Sequence, residues 1–279
     1  MHNTTYNGAR CKKYQVHKPS SFCFHVVSEF EEYYFKPFVH RGDNAVKKFL
    51  VALFKVKHKI KKIVRQNKTM ILTDEDAENF NKETTCHICR KSMTNDEKCR
   101  DHCHITGKYR GAAHKSWNLG FNYKNYRIPV FFHNSKGYDT HLIMQEIALK
   151  FEDKKIECIP KTEEQFITFS IGNLRFLDSL PFMNSSLSKL VDNLANITKV
   201  NKEPKLDNFN VTKRHFQKLD NDKLKLLIRK GVYPYDYMNS FDKFKDSVLP
   251  PIDAFHSKLT NESINKKEYQ HAQKVLEYF

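Results

Sequence analysis

Apolar residues recur at three- and four-residue steps from Val46 through Phe49, Leu50, Leu53, Ile60 and Ile63 to Val64, and this spacing predicts a helix capped by Asp43 or Asn44. Before it, residues 21–40 are rich in β-branched and aromatic side chains and are broken at Pro37 and Gly42, which predicts two short strands. "LTDEDAENFNKE", residues 72–83, predicts a short capped helix. Further on, Ile128 to Phe132 predicts a buried strand, followed by a polar turn containing Gly137 and a helix from about Thr140. "FITFSIGNLRFLDSL" predicts a hairpin turning at Gly172 and Asn173, and "SLSKLVDNLA" a helix after it. Strand, helix, hairpin and helix in that order predict an α/β sheet. Residues 199–230 are charged and poorly patterned, and the last stretch, "NESINKKEYQHAQKVLEYF", reads as helix.

Charge adds a partner to this picture. The 279 residues suffice for one large domain or two modest ones, and a formal net charge of +16 points to a polyanion, most simply nucleic acid, ahead of a membrane surface. Seven Lys or Arg and no acid lie between Lys55 and Lys68, so the polar face of the long helix is either a solvated surface or a phosphate-contacting stripe. No apolar run is long enough to span a bilayer, and "MHNTTYNGARCKKYQ" lacks the apolar stretch of a signal peptide. The expectation is an intracellular protein, nuclear or cytoplasmic, neither secreted nor held in a membrane.

The cysteines carry the first candidate chemistry. Seven is an odd number, and Cys86, Cys89, Cys99 and Cys103 are crowded together, which in a reducing compartment reads as metal binding. Cys86 and Cys89 have the two-residue gap of a knuckle that grips one zinc ion. His114 and position 117 repeat the gap, but position 117 is Trp, whose indole offers only an N–H donor. Water, Cys99 or Cys103 are the candidates for the fourth ligand. Between the halves lies "RDHCHITGKYRG", a predicted hairpin in which His102 and His104 share a face. A carboxylate such as Asp101 and a carboxamide such as Asn118 can hold Mg²⁺ against a phosphate while an imidazole activates water.

"CHIC", "RDHCHITGKYRGAAH" and "NL" together resemble the recombination endonuclease VII class of His-Asn-His nucleases, a zinc-stapled, treble-clef-like ββα module. The resemblance implies that Cys86, Cys89 and His114 bind zinc, with the fourth ligand replaced by Trp117. It implies that His102 is the general base, that Asp101 and Asn118 hold the catalytic metal, and that His104 supports phosphate or metal. A zinc finger without nuclease activity and a metal-free module are the alternatives to active cleavage.

A second constellation follows the predicted strand. In "VFFHNSKGYDTHLI", Asn134, Tyr138 and Asp139 sit in the turn after it; an acid there can bind a divalent ion, and a carboxamide and a ring can hold a single-stranded end. The competing role of Asp139 is a helix cap. "FFHNSKGYDTHLI" resembles the second exonuclease motif of family B DNA polymerases. "RFLDSLPFMNSSLSKLVDNL" is similar to the segment after it in the protein-primed, viral and transposon-encoded subgroup, where Ser179 and Leu180 match single-strand contacts. "KGVYPYDYMNSFDKFKDSVLPPIDAF" and the stretch from Tyr14 to Phe49 also look like parts of those polymerases.

That resemblance implies a fragment of a replicative polymerase: part of a ribonuclease H-like 3′–5′ exonuclease sheet with the small zinc module inserted. Its expected divisions are residues 1–82, exonuclease-like with the basic helix; 83–124, the zinc module; 125–198, exonuclease-like with the second motif; and 199–279, the helical remainder. The first exonuclease motif is expected before Tyr14 and the third after Phe279, so only Asp139 of the usual four exonuclease carboxylates lies in this sequence. One carboxylate cannot hold two Mg²⁺ ions in line, and no Asp-Thr-Asp is present, so polymerase and exonuclease activity are expected to be absent from this chain alone. The expected partners are DNA and the rest of a polymerase chain. The other readings are an endonuclease acting through His102 and a non-enzymatic zinc-containing interaction protein or relic.

Overall fold

The computed structural model describes residues 18–119, 126–137, 139–150, 155–162, 166–198 and 200–279. They form a mixed α/β architecture with small sheets, and fall into two compact units whose boundary lies inside the first helix. One unit takes its residues from Met1–Phe49 and Met183–Phe279, the other from Leu50–Phe182.

In the first unit, β1 (Ser21–Phe24) pairs antiparallel with β2 (Phe38–Arg41), joining the two predicted strands into one small sheet. Phe24 and Phe38 stack with ring centres 4.6 Å apart, and Phe49 meets Phe24 edge-on at 5.7 Å. Asp43 accepts from the Lys48 ammonium at 3.3 Å rather than serving simply as a helix cap, and Asn44 takes a left-handed φ of 53° just ahead of α1 (Ala45–Val64). The chain from 200 to 230 is more structured than its charge suggests. Leu206, Phe209 and Leu224 close with Ala195 into a core, carried by α5 (Leu187–Leu194), α6 (Asn210–His215), α7 (Asn221–Leu227) and the turns between them. Its apolar residues serve several short elements, so no single period shows in the sequence. The last helix, α8 (Lys266–Tyr278), opens on an Asn265–Glu268 capping box.

In the second unit, α1 continues with Leu50, Leu53 and Val56 buried, while Ile60, Ile63 and Val64 are half-buried. Thr73 and Asp76 form the capping box of α2 (Asp74–Lys82), satisfying two otherwise orphan amides. β3 (Lys98–His102), β4 (Tyr109–His114) and α3 (Lys115–Leu119) then give a ββα unit, with a register shift between Asp101 and His102. A separate four-stranded sheet has the order β5 (Ile128–Phe132), β8 (Leu174–Asp178), β7 (Phe166–Ile171), β6 (Ile156–Pro160). β5 and β8 run parallel and the other pairs antiparallel. A connection containing α4 (Asp139–Lys150) and β6 separates β5 from the β7–β8 hairpin, whose buried Phe169 and Phe176 stack at 4.4 Å. Among the described residues, no helix is long and apolar enough to cross a membrane.

Candidate metal centre and strand-end site

The ββα unit gathers metal donors because its local turns are closed by backbone hydrogen bonds. The Arg90 amide returns to the Cys86 carbonyl at 2.9 Å, with Arg90 in the left-handed region at φ 62°, and this closes the knuckle. His87 donates its amide to Ala112 at 2.9 Å, and Glu83 accepts from the Ala112 amide at 2.7 Å, so the knuckle is tied to β4. Gly111, at φ 142°, sits where a Cβ would come within 3.1 Å of the His87 side chain. A larger residue there would push the knuckle off the strand.

The result is a cluster of Cys86, Cys89 and His114 whose ligating atoms lie within 4.8 Å of one another, a group that can hold a metal ion. Cys89 Sγ and His114 Nδ1 are 3.5 Å apart. Burial pushes the Cys86 thiol up, but the amides of Cys89 and His114, the His114 ring and the Ile88 amide outweigh it and bring the thiol down to about 6. A thiolate-favouring pocket with an adjacent imidazole suits a soft divalent ion.

Cys99 and Cys103 make other contacts: Cys99 donates to the Ala113 carbonyl at 3.3 Å, and the Cys103 thiol is lowered through contacts with Thr106 and Ile105, which outweigh its burial. Trp117 follows His114 by three positions and is 57% exposed. Among the described residues the donor set is therefore three protein atoms.

Asp101 is only 1% exposed, with one oxygen accepting from His87 Nε2 at 2.8 Å and the other from the Arg110 guanidinium at 2.9 Å. Burial alone would raise its carboxyl, but Arg110 and His87 outweigh it and hold it below the usual carboxylate range. Asn118 points its amide at Cys99 Sγ, 3.5 Å away. Asp101 and Asn118 thus serve different partners, and Asp101 acts as a buried tie between knuckle and hairpin. His102 and His104 lie together, ring centres 4.8 Å apart, and His102 Nε2 is 3.2 Å from the Lys68 carbonyl. Burial, then His102 and Arg110, lower the His104 imidazole against the opposing pull of Asp101.

The strand-end site is built around Asp178, to which no motif in the sequence assigns a role. Asp178 ends β8 opposite Phe132, is 5% exposed, and accepts through one oxygen from the amides of Asn134 and Leu180, each at 2.9 Å. Among the described residues, its other, buried oxygen has no hydrogen-bond partner. Burial raises its carboxyl, and the Leu180, Asn134 and Lys136 amides and the Lys136 charge bring it below the normal range. A signal was available: an acid closing a strand whose alternate residues are apolar has to find donors indoors.

Asp139 begins α4 and is exposed; desolvation and the nearby Asp178 raise its carboxyl, partly offset by its own amide. Asn134 is exposed with a left-handed φ of 64°. Ser179 is buried, donating its hydroxyl to the Phe132 carbonyl at 2.9 Å, with His133 Nδ1 3.0 Å away; Leu180 is half-buried. Tyr138 lies outside the described residues. The cavity beside Asp178 measures about 10 Å³, room for a single water at most.

Comparison of the chain with protein-family models, curated proteins and solved structures gave no match.

Proposed function

We propose that this chain is a DNA-binding part of a protein-primed family B DNA polymerase, drawn from its ribonuclease H-like 3′–5′ exonuclease region and carrying an endonuclease VII-like zinc module. The observation that carries the binding role is the run from Lys55 to Lys68: six of its seven cations are exposed, and no acid lies among them. Such a surface attracts phosphates by releasing their counterions. The family assignment is supported by the motif order, in which the ββα unit precedes the strand that delivers Asn134 and Asp139.

Zinc is the metal that best suits two thiolates and an imidazole, and when bound it would tie knuckle, hairpin and helix together. The chain's own residues then hold shape rather than cut: Asp101 is consumed by Arg110 and His87, and Asp178 by backbone amides. Among the described residues of the strand end, one exposed carboxylate, Asp139, is too few for two-metal exonuclease chemistry.

The test is fluorescence anisotropy with labelled single-stranded and duplex DNA over roughly 50 to 200 mM salt, where several phosphate contacts give a steep linear fall of log affinity against log salt. Affinity indifferent to salt would contradict DNA binding. A second reading, an endonuclease acting through His102, draws on the paired His102 and His104 rings. Nicking of branched DNA with Mg²⁺ that disappears in His102→Ala would favour it, and background cleavage by both proteins would remove it.

A further inference from the structure

The second half of α1 does more than present charge. Lys57 and Lys61 on α1, and Arg65 just past its end with its amide on the Lys61 carbonyl, follow one another at four-residue steps, about 6 Å of helix rise apart, and so form a row on one face. Ile60 and Val64 lie between them, and all five residues line one wall of a cleft of about 150 Å³. Tyr126, Ile128 and Asn173 form the other wall.

That second wall is held in place. Asn173 donates its side-chain amide to the Tyr126 carbonyl at 2.7 Å, and the Ile128 amide returns to the Asn173 carbonyl at 2.7 Å. Arg127 bonds the Gly172 carbonyl at 2.5 Å, and its guanidinium also pairs with Glu157 at 3.6 Å. Gly172 stands at φ 59°, where a Cβ would come within 3.0 Å of the Lys57 ammonium, so the turn and the helix approach closely.

The cleft therefore has an apolar lining from Ile60, Val64 and Ile128, cations along one wall, and Tyr126, a residue 44% exposed, in the other. Its volume is below the roughly 300 Å³ at which pockets enclose a whole small molecule, but a planar ring can enter while its phosphates stay on the rim. Duplex DNA keeps its bases inside the stack, whereas a single strand can offer one to a tyrosine and its backbone to a line of cations. The geometry points to this cleft as a binding site for single-stranded nucleic acid, with Lys61 and Arg65 on phosphates and Tyr126 against a base. The inference rests on the DNA-binding reading and deepens it by naming the site and the strandedness.

The experiment measures binding of the full chain to fluorescent oligothymidylate and to a short duplex across a salt series. Lys61→Glu with Arg65→Glu is expected to weaken oligothymidylate binding and to flatten the log–log salt slope by about 1.4, the share of two single-strand phosphate contacts. Tyr126→Ala is expected to weaken it about tenfold, the lower part of the range for one stacked base, and Tyr126→Phe to leave it within about twofold. Lys266→Glu with Lys267→Glu, the same charge change on α8, controls for overall charge and is expected to do less. Bromodeoxyuridine placed in the oligonucleotide is expected to crosslink to the peptide containing Tyr126.

Equal effects of the two double substitutions, or unchanged binding by Tyr126→Ala, would overturn the cleft assignment while DNA binding itself stands. A wild-type preference for duplex would overturn the single-strand assignment. No salt-dependent binding by the wild type would remove the DNA-binding reading and the cleft with it.

Discussion

The ββα unit and the end of the β5–β8 pair both bring acids and metal-capable groups together, yet they use them in opposite ways. In the ββα unit the acid is spent on structure and the soft donors converge: Asp101 bridges Arg110 and His87, while Cys86, Cys89 and His114 approach within 4.8 Å. At the strand end the buried acid again goes to structure, but it is held by backbone amides, and among the described residues there Asp139 is the acid left facing solvent. The difference teaches that an acid beside a candidate site is not thereby a ligand. Burial selects for acids that already have donors, because an unpaired carboxylate away from water is costly.

The largest expected effect separates the two regions by metal. Chelation, or Cys89→Ser, is expected to remove up to about 10 kcal/mol of binding-linked stability from the ββα unit, the scale of structural zinc sites. Hydrogen exchange should then accelerate at the Cys86 and His87 amides and stay unchanged in β7 and β8; uniform protection with and without chelator would break the distinction. Next comes Asp101→Ala, which strands a guanidinium and an imidazole and is expected to cost roughly 3 kcal/mol by denaturant unfolding. Because Asp101 titrates below its unfolded value, its contribution is present above about pH 3.9 and is lost as pH falls through the lower folded value. The stability gap between wild type and Asp101→Asn should therefore be flat near neutrality and narrow only in acid.

Asp178→Ala leaves the Asn134 and Leu180 amides without their acceptor and is expected to cost about 2 to 3 kcal/mol, with Asp178→Asn milder because one oxygen can still accept. Equal stability of Asp178→Ala and wild type would show that the strand end does not depend on this carboxylate. The smallest effect is a gain: Trp117→Cys adds a thiol three positions after His114 and is expected to tighten zinc by about tenfold, or 1.4 kcal/mol, in competition with a chromophoric chelator. Unchanged affinity would place the open coordination position away from residue 117.

Much of this was readable along the chain, and the unread parts share one cause. The strand Ile128–Phe132, the turn at Gly172 and Asn173 and the Thr73 capping box each follow from a few neighbouring residues, and the structure has them there, except that the strand alternates between half-buried and exposed positions instead of being buried, with Phe131 62% exposed. The Cys86–Cys89 knuckle is equally local. By contrast, the partners of Asp101 lie fourteen and nine residues away, and they meet it only once the hairpin has formed. Asp178 meets the Asn134 amide across 44 residues, through a parallel pairing with no local signature. β6 was not foreseen because its residues are mostly exposed and lack a clear alternation. The joining of Met1–Phe49 with Met183–Phe279 in one compact unit is likewise invisible to a linear reading of composition.

The contrast between the two regions is tested most directly by metal stoichiometry on the purified chain, measured by elemental analysis after dialysis against trace zinc. The expected result is one zinc per chain for the wild type and for Asp139→Ala, and none for Cys89→Ser. A metal-free wild type, or a zinc content that falls with Asp139 and not with Cys89, would contradict it.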